Sequence, residues 1–259
     1  MYRGFNLALG NEDLSKYSRQ GRIVHENNKA QVQKKLDSFK DKNGNLLASE
    51  IIAGWFPPVK SDIFLSHSHK DADQVIGLSG WLNQELGLTS FIDSCIWGYS
   101  EVLLKMIDDE YCYQPSKQTY SYDKRNRSTS HVHMMLSTAL SKMINSCECI
   151  IFVNTPNSIS PKNYIKEEGT TDSPWIYSEI AMTSLVQKRT PDDHRGRIIK
   201  SAVVAKEALR ESFSINYDID LLHLTPLGVD DLNNWNRSNT KTGSDALDTL
   251  YKLKAENYG

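Results

Sequence analysis

The chain has 259 residues, of which 39% are hydrophobic and 24% are charged, and its formal net charge is -2. This composition is typical of a globular protein with one large domain, or with one domain and an extension. A chain without a basic excess is a poor nucleic-acid binder, no apolar run is long enough to cross a membrane, and the start lacks the apolar core of a secretory signal. We therefore expect a cytoplasmic protein that binds neither nucleic acid nor membrane.

Residues 1–58 are polar and are predicted to form an N-terminal helical extension. Apolar side chains at helical spacing indicate a helix over residues 27–39 and a second, shorter one over residues 46–55. Pro57 and Pro58 end the second helix, because proline has no backbone N–H to donate. The two prolines are interpreted as a hinge between this extension and the rest of the chain.

From Ser61 onward, short apolar runs alternate with helical patterns. Residues 62–66 are predicted to be a buried strand of a parallel sheet. The helix that follows begins at Asp71, which we expect to cap it with Gln74 as the reciprocal partner of a capping box. The next strand covers residues 89–93.

Residues 94–130 are interpreted as an insertion, with a helix over 101–111 and an exposed polar loop over 114–130. A helix over 131–145 then leads to residues 148–155, the most apolar strand pattern in the chain. The later elements are a loop at 156–172, a helix at 175–188, strands at 198–205 and 218–225, and a closing helix at 245–255. Strands separated by helices of this length predict an α/β protein with a parallel sheet.

Three segments of this pattern resemble bacterial members of the TIR (Toll/interleukin-1 receptor) domain family. They are Ser61–Asp71, which is similar to the family's first strand and following loop, Ser90–Asp93, which is similar to the strand before its BB loop, and Ser173–Ile180, which is similar to the segment with the catalytic glutamate of NAD-cleaving members. The resemblance implies a flavodoxin-like, five-stranded parallel sheet flanked by helices over residues 59–259. It does not account for residues 1–58 or for the 111–130 loop, and the insertion at 94–130 departs from the family's pattern.

Ligands of such sheets bind beyond the carboxyl ends of the strands, and the candidate site residues lie there. The resemblance implies that Glu179 is catalytic, while Trp175, four residues earlier, shares its helix face and is either a surface for stacking a base or a core aromatic. The candidate substrate-binding residues are Ser66, His67, Ser68, Asp93, Trp97 and Trp175. No metal is expected, because no carboxylate or cysteine completes a site with the histidines at recognisable spacing.

The expected function follows from this resemblance. Nicotinamide leaves NAD+ without needing a general acid, so one carboxylate that stabilises the positive charge on the ribose suffices. The chain is predicted to be an NAD+ glycohydrolase or cyclase, with NAD+ as substrate and no cofactor. It would release an ADP-ribose-type product or signal, as in Thoeris-like antiphage defence systems, where such a signal activates a separate effector. Self-association through the TIR domain is also expected. The alternative is a non-enzymatic adaptor module for TIR–TIR interaction.

Overall fold

The structure is a computed structural model that describes residues 1–10, 12–29, 36–159, 169–171, 173–196 and 217–255. The described strands are β1 (Arg3–Ala8), β2 (Ile63–Ser66), β3 (Ser90–Ile92), β4 (Tyr113–Gln114), β5 (Thr119–Tyr120), β6 (Cys149–Asn154), β7 (Gly169–Thr171), β8 (Tyr217–Ile219) and β9 (Thr225–Gly228). The described helices are α1 (Ser18–Lys29), α2 (Ala48–Trp55), α3 (Ala72–Leu86), α4 (Ser94–Ile107), α5 (Tyr122–Ser146), α6 (Pro174–Leu185), α7 (Pro191–Gly196), α8 (Val229–Ser238) and α9 (Ala246–Ala255).

The core of the fold is a five-stranded sheet in the order β3-β2-β6-β1-β9, in which every pairing is parallel. Helices flank this sheet, so the prediction of an α/β protein with a five-stranded parallel sheet is confirmed, and the architecture is consistent with a flavodoxin-like fold. The pairs β4–β5 and β7–β8 form two small antiparallel sheets beside it. Among the described helices, none is long and apolar enough to cross a membrane.

The start of the chain belongs to the central sheet, and the prediction that residues 1–58 form a separate helical extension is wrong for β1. Strand β1 lies between β6 and β9 and pairs with both in parallel. Its Phe5 and Leu7 side chains are completely buried in the core. The run is short and broken by Gly4 and Asn6, so its periodicity is weak, and its place in the sheet depends on partners more than 140 residues away along the chain.

The far edge of the sheet differs from the predicted one. The predicted strand at 198–205 lies outside the described residues. The predicted edge strand at 218–225 is wrong, because Tyr217–Ile219 pairs antiparallel with Gly169–Thr171 and the edge strand is β9, which begins at Thr225. The turn at residues 220–224 separates the two strands.

The predicted insertion is more regular than its composition suggests. The 25-residue helix α5 begins at Tyr122, so the expected exposed loop over 114–130 is instead the β4–β5 hairpin followed by the first turns of this helix. The polar side chains of these turns lie mainly on the exposed side, and the buried Ser128 donates to the carboxylate of Asp108. The polar residues at the start of α5 therefore form the solvent-exposed face of a helix, where the sequence had predicted a loop.

Of the two helices predicted within residues 1–58, the second is confirmed and the first is not. Helix α2 matches the helix predicted over 46–55. The predicted helix over 27–39 is not a single helix: α1 spans residues 18–29, residues 30–35 lie outside the described part, and Leu36–Phe39 forms a 3-10 turn. Helix α1 packs closely on α3, where a Cβ on Gly21 would lie only 1.8 Å from the Ile76 carbonyl oxygen.

Separate hydrophobic layers cover the two faces of the sheet. Along β2, Ile63 and Leu65 face one layer and Phe64 faces the other, because strand side chains alternate. The first layer includes buried residues of α3, α8 and α9, and the second includes those of α2, α4 and α5. Since each fully buried aliphatic side chain contributes about 1.5–3 kcal/mol, these layers hold the strand ends in fixed relative positions.

Candidate functional site

A buried polar cluster lies at the carboxyl ends of β2 and β3. Ser66 is the last residue of β2, and its hydroxyl donates a 2.6 Å hydrogen bond to Oε2 of Glu179 on α6. Glu179 is only 1% exposed. Burial of a carboxylate is costly without compensation. The buried Glu179 carboxylate, which bonds to a residue 113 positions away along the chain, is therefore unusual.

Asp93 and His67 form the second half of the cluster. Asp93 directly follows β3, and His67 directly follows β2, so the parallel pairing of these strands brings the two residues to the same sheet edge. His67 Nδ1 lies 2.5 Å from Asp93 Oδ1, and both side chains are almost fully buried. The structure thus brings together four of the predicted site residues: Ser66, His67, Asp93 and Glu179.

The protonation of Glu179 reflects this environment. Burial raises its pKa well above the ordinary value of 4.5, and the neighbouring Asp93 charge raises it further, whereas the Ser66 hydrogen bond lowers it. Its Oε1 atom is buried and accepts no hydrogen bond from the described residues. The protonated form of Glu179 is therefore favoured while the cluster is closed.

His67 responds to the same carboxylate in the opposite sense. Burial lowers the pKa of this imidazole, but the charge and hydrogen bond of Asp93 raise it, with further contributions from the Leu65 backbone and the Asp71 charge, so the net pKa is above 6.5. Asp93 consequently stabilises a positive His67 on one side and disfavours a negative Glu179 on the other. This one carboxylate links the protonation of both neighbours.

Asp71 extends the cluster, although the sequence assigned it a different role. Asp71 occupies the N-cap position of α3 as predicted, but the predicted capping box with Gln74 is wrong, because the Asp71 side chain makes no cap hydrogen bond. Its carboxylate instead accepts hydrogen bonds from Thr155 Oγ1 at 2.5 Å and from Asn157 Nδ2 at 2.6 Å, both in the turn after β6. The available signal was the polar Asn-Thr-Pro-Asn run at the carboxyl end of the most apolar strand, residues 154–157.

The remaining candidates are placed less centrally. Ser68 is buried in the turn, where its carbonyl accepts from the Asp71 amide at 2.8 Å. The ring of Trp175 packs edge-on against His133 of α5, with centroids 5.6 Å apart. Trp175 is partly buried, and His133 is exposed. Trp97 falls in the first turn of α4, and its side chain lies outside the described part of the chain.

No group of three or more histidine, cysteine or acidic side chains within the described ranges is arranged to hold a metal ion. In particular His69 is exposed while His67 is buried, so the two histidines do not face one side. The cluster itself contains the carboxylates of Glu179 and Asp93, the imidazole of His67 and the hydroxyl group of Ser66.

Comparison of the chain with protein-family descriptions, with curated proteins and with solved structures finds no match. What the fold and the cluster define is a class: an α/β protein whose central parallel sheet carries a buried acidic cluster at the carboxyl ends of its strands. This is the edge at which open parallel sheets bind their ligands.

Proposed function

We propose that this chain is a TIR-type NAD+ glycohydrolase or cyclase in which Glu179 is the catalytic residue. The observation that carries the proposal is the burial of Glu179 at the carboxyl edge of the sheet, against Ser66 and the Asp93–His67 pair. A costly buried carboxylate in such a position is a candidate functional group, because structural needs alone do not favour it.

The proposed reaction breaks the bond between the ribose and the nicotinamide nitrogen. The bonding electron pair leaves with nicotinamide, which departs neutral, and positive charge develops on the ribose. The ionised carboxylate of Glu179 stabilises this charge through the sugar and its hydroxyl groups. Water then adds to the ribose carbon and releases a proton, or an internal nucleophile of the same molecule closes a ring.

The other cluster residues would act by positioning and charge. Ser66 holds one oxygen of Glu179, while the second oxygen, Oε1, carries no hydrogen bond from the described residues and is available to a ribose hydroxyl. The cationic nicotinamide ring favours the ionised form of Glu179, and this opposes the effects of burial and of Asp93. Substrate binding would thereby activate the carboxylate that the closed cluster keeps protonated.

Access to Glu179 requires movement, since the residue is almost completely covered. Helix α4 starts directly after Asp93 and is the element whose displacement would open the β3 side of the cluster. We propose that self-association of the TIR-type domain drives this opening, so that activity increases with protein concentration. The ADP-ribose product would then serve as a signal for a separate effector in antiphage defence.

The test is a mass-spectrometric time course of NAD+ with concentrated wild-type protein and Glu179→Gln. Release of nicotinamide by the wild type alone is expected, and the accompanying ADP-ribose species identifies hydrolysis or cyclisation. Glu50→Gln, at an exposed position of α2, is the control and should match the wild type. If all three proteins leave NAD+ intact at every concentration, and the wild type still self-associates, the adaptor function replaces the enzymatic one.

A further inference from the structure

A second site is indicated by a cavity of about 710 Å³ that lies away from the Glu179 cluster. It opens between α2 and α5, beside the turn Asp108–Cys112 that follows α4. Its volume falls within the range of about 300–1,000 Å³ that is usual for small-molecule sites. None of the cluster residues Ser66, His67, Asp93 and Glu179 lines it.

The walls of this cavity divide into an apolar part and a basic part. Ile51 and Ile52 of α2, Ile107 of α4 and Met134 and Met135 of α5 provide an aliphatic surface. The lining residues toward the start of α5 are polar and basic instead: Lys124, Arg127, Ser128 and His131. These side chains follow one another at helical spacing, so polarity changes steadily along a single helix face.

The basic part of the cavity retains positive charge. The acidic residues of the neighbouring turn already have cationic partners elsewhere: Asp108 pairs with Arg125 at 2.9 Å, and Glu110 pairs with Lys40 at 2.5 Å. Of the described residues that line the cavity, none is acidic. The amino-terminal end of α5 adds the positive end of its helix dipole on the same side.

From this arrangement we infer that the cavity binds a small amphipathic anion, with its aliphatic body on the isoleucines and methionines and its carboxylate or phosphate on Lys124 and Arg127. The Lys124 ammonium donates to the Tyr111 carbonyl at 3.1 Å, which holds it at the cavity rim. Arg127 is exposed one helical turn further along and offers the fork-shaped guanidinium that suits a carboxylate or phosphate. A neutral or cationic molecule of the same length would lack this contact.

The experiment measures binding of decanoate to the full chain by isothermal calorimetry, with decyltrimethylammonium as the probe of equal chain length and opposite charge. We expect saturable 1:1 binding of decanoate and much weaker binding of the cation. Arg127→Ala and Lys124→Ala should each weaken decanoate binding about tenfold, the effect of losing one charge-assisted hydrogen bond. Arg237→Ala, which removes an exposed arginine of α8, is the matched control and should bind as the wild type does.

Ala48→Trp tests the apolar part, because an indole at this lining position fills the cavity. It should abolish decanoate binding while far-UV circular dichroism stays unchanged. The inference is overturned if decanoate does not saturate, if both probes bind equally, or if the folded Arg127 and Lys124 variants bind normally. It is also overturned if the chain co-sediments with phosphatidylglycerol vesicles through Arg127 but ignores free decanoate. Glu179→Gln should bind decanoate normally, so the result is independent of NAD+ cleavage.

Discussion

Two buried glutamates lie near opposite ends of the central sheet, and their surroundings differ. Glu148 directly precedes β6, at the amino ends of the strands, and Glu179 lies at the carboxyl ends. They are 3% and 1% exposed. Burial raises the pKa of both above the ordinary value of 4.5. The difference lies in what each carboxylate meets inside the protein.

Glu148 is matched by donors on both oxygens. Arg195 approaches its two oxygens at 2.7 and 2.9 Å, and the Tyr251 hydroxyl donates to Oε1 at 3.1 Å. Arg195 thereby offsets part of the effect of burial on the Glu148 pKa. This is a bidentate pair of the kind that fixes structure, and it joins β6 to α7 and α9.

Glu179 meets one donor and one like charge. Ser66 donates to a single oxygen, and Asp93 raises the pKa further. A fully paired buried carboxylate is explained by the fold, whereas an underpaired one beside a second carboxylate costs stability. Under the proposed function, Glu148 serves structure and Glu179 serves chemistry, and four measurements can break or sharpen this comparison.

The largest expected effect is on NAD+ cleavage. Glu179→Gln should lower kcat by about 10²–10³, because the amide cannot stabilise the positive ribose and the loss of one preorganised electrostatic contact has an effect of this size. Glu148→Gln should retain most of the wild-type kcat. Nicotinamide release at saturating NAD+ measures both, and similar losses in the two variants would remove the functional distinction.

The second-largest expected effect is on the stability that the Glu148–Arg195 pair provides at the amino ends of the strands. Glu148→Gln should lower the free energy of unfolding by about 2 kcal/mol, since it breaks the bidentate contact with Arg195. The loss is limited because Arg195 also pairs with Asp248 at 2.9 Å and Asp245 at 3.0 Å. Urea denaturation at neutral pH measures it. An unchanged midpoint would mean that the Glu148 pair is neutral for folding.

Glu179→Gln should act on stability in the opposite direction. The folded protein holds the Glu179 proton to higher pH than the unfolded chain does, so wild-type stability falls as pH rises from about 4.5 toward the raised pKa. The glutamine variant lacks this penalty and should be more stable by about 1 kcal/mol at pH 8, with no gain near pH 4. Thermal unfolding across this range tests it, and a variant that is less stable at pH 8 would contradict it.

The smallest expected effect is a shift in the pH dependence of kcat/KM. If ionised Glu179 is the active form, kcat/KM should rise with pH through the raised pKa of this residue. Asp93→Asn removes a neighbouring negative charge and should move this rise to lower pH, while burial keeps it above 4.5. Initial rates between about pH 5 and 9 give both profiles. A rise at the same pH in both proteins would show that Asp93 does not act on Glu179.

The predicted elements that the structure confirms are those with strong local sequence patterns. The apolar runs of β2, β3 and β6 and the periodic helix α3 were placed to within a few residues, because burial on both faces of a parallel strand leaves a continuous apolar run. Candidate residues next to these strands, such as Ser66 and Asp93, were therefore found. Asp71 lies at the N-cap of α3 as predicted, but its side chain accepts a hydrogen bond from the distant Thr155 and none from the helix.

The sequence by itself determined the α/β class, the parallel pairing and the polar residues that end β2 and β3, since these depend on period, run length and neighbouring residues. Only the tertiary structure decided that β1 fills the position between β6 and β9, that Asp71 faces Thr155, and that Glu179 lies buried against Ser66. Each of these depends on partners 84 to 220 residues apart. Such contacts form only when the whole chain packs, so no local sequence pattern predicts them.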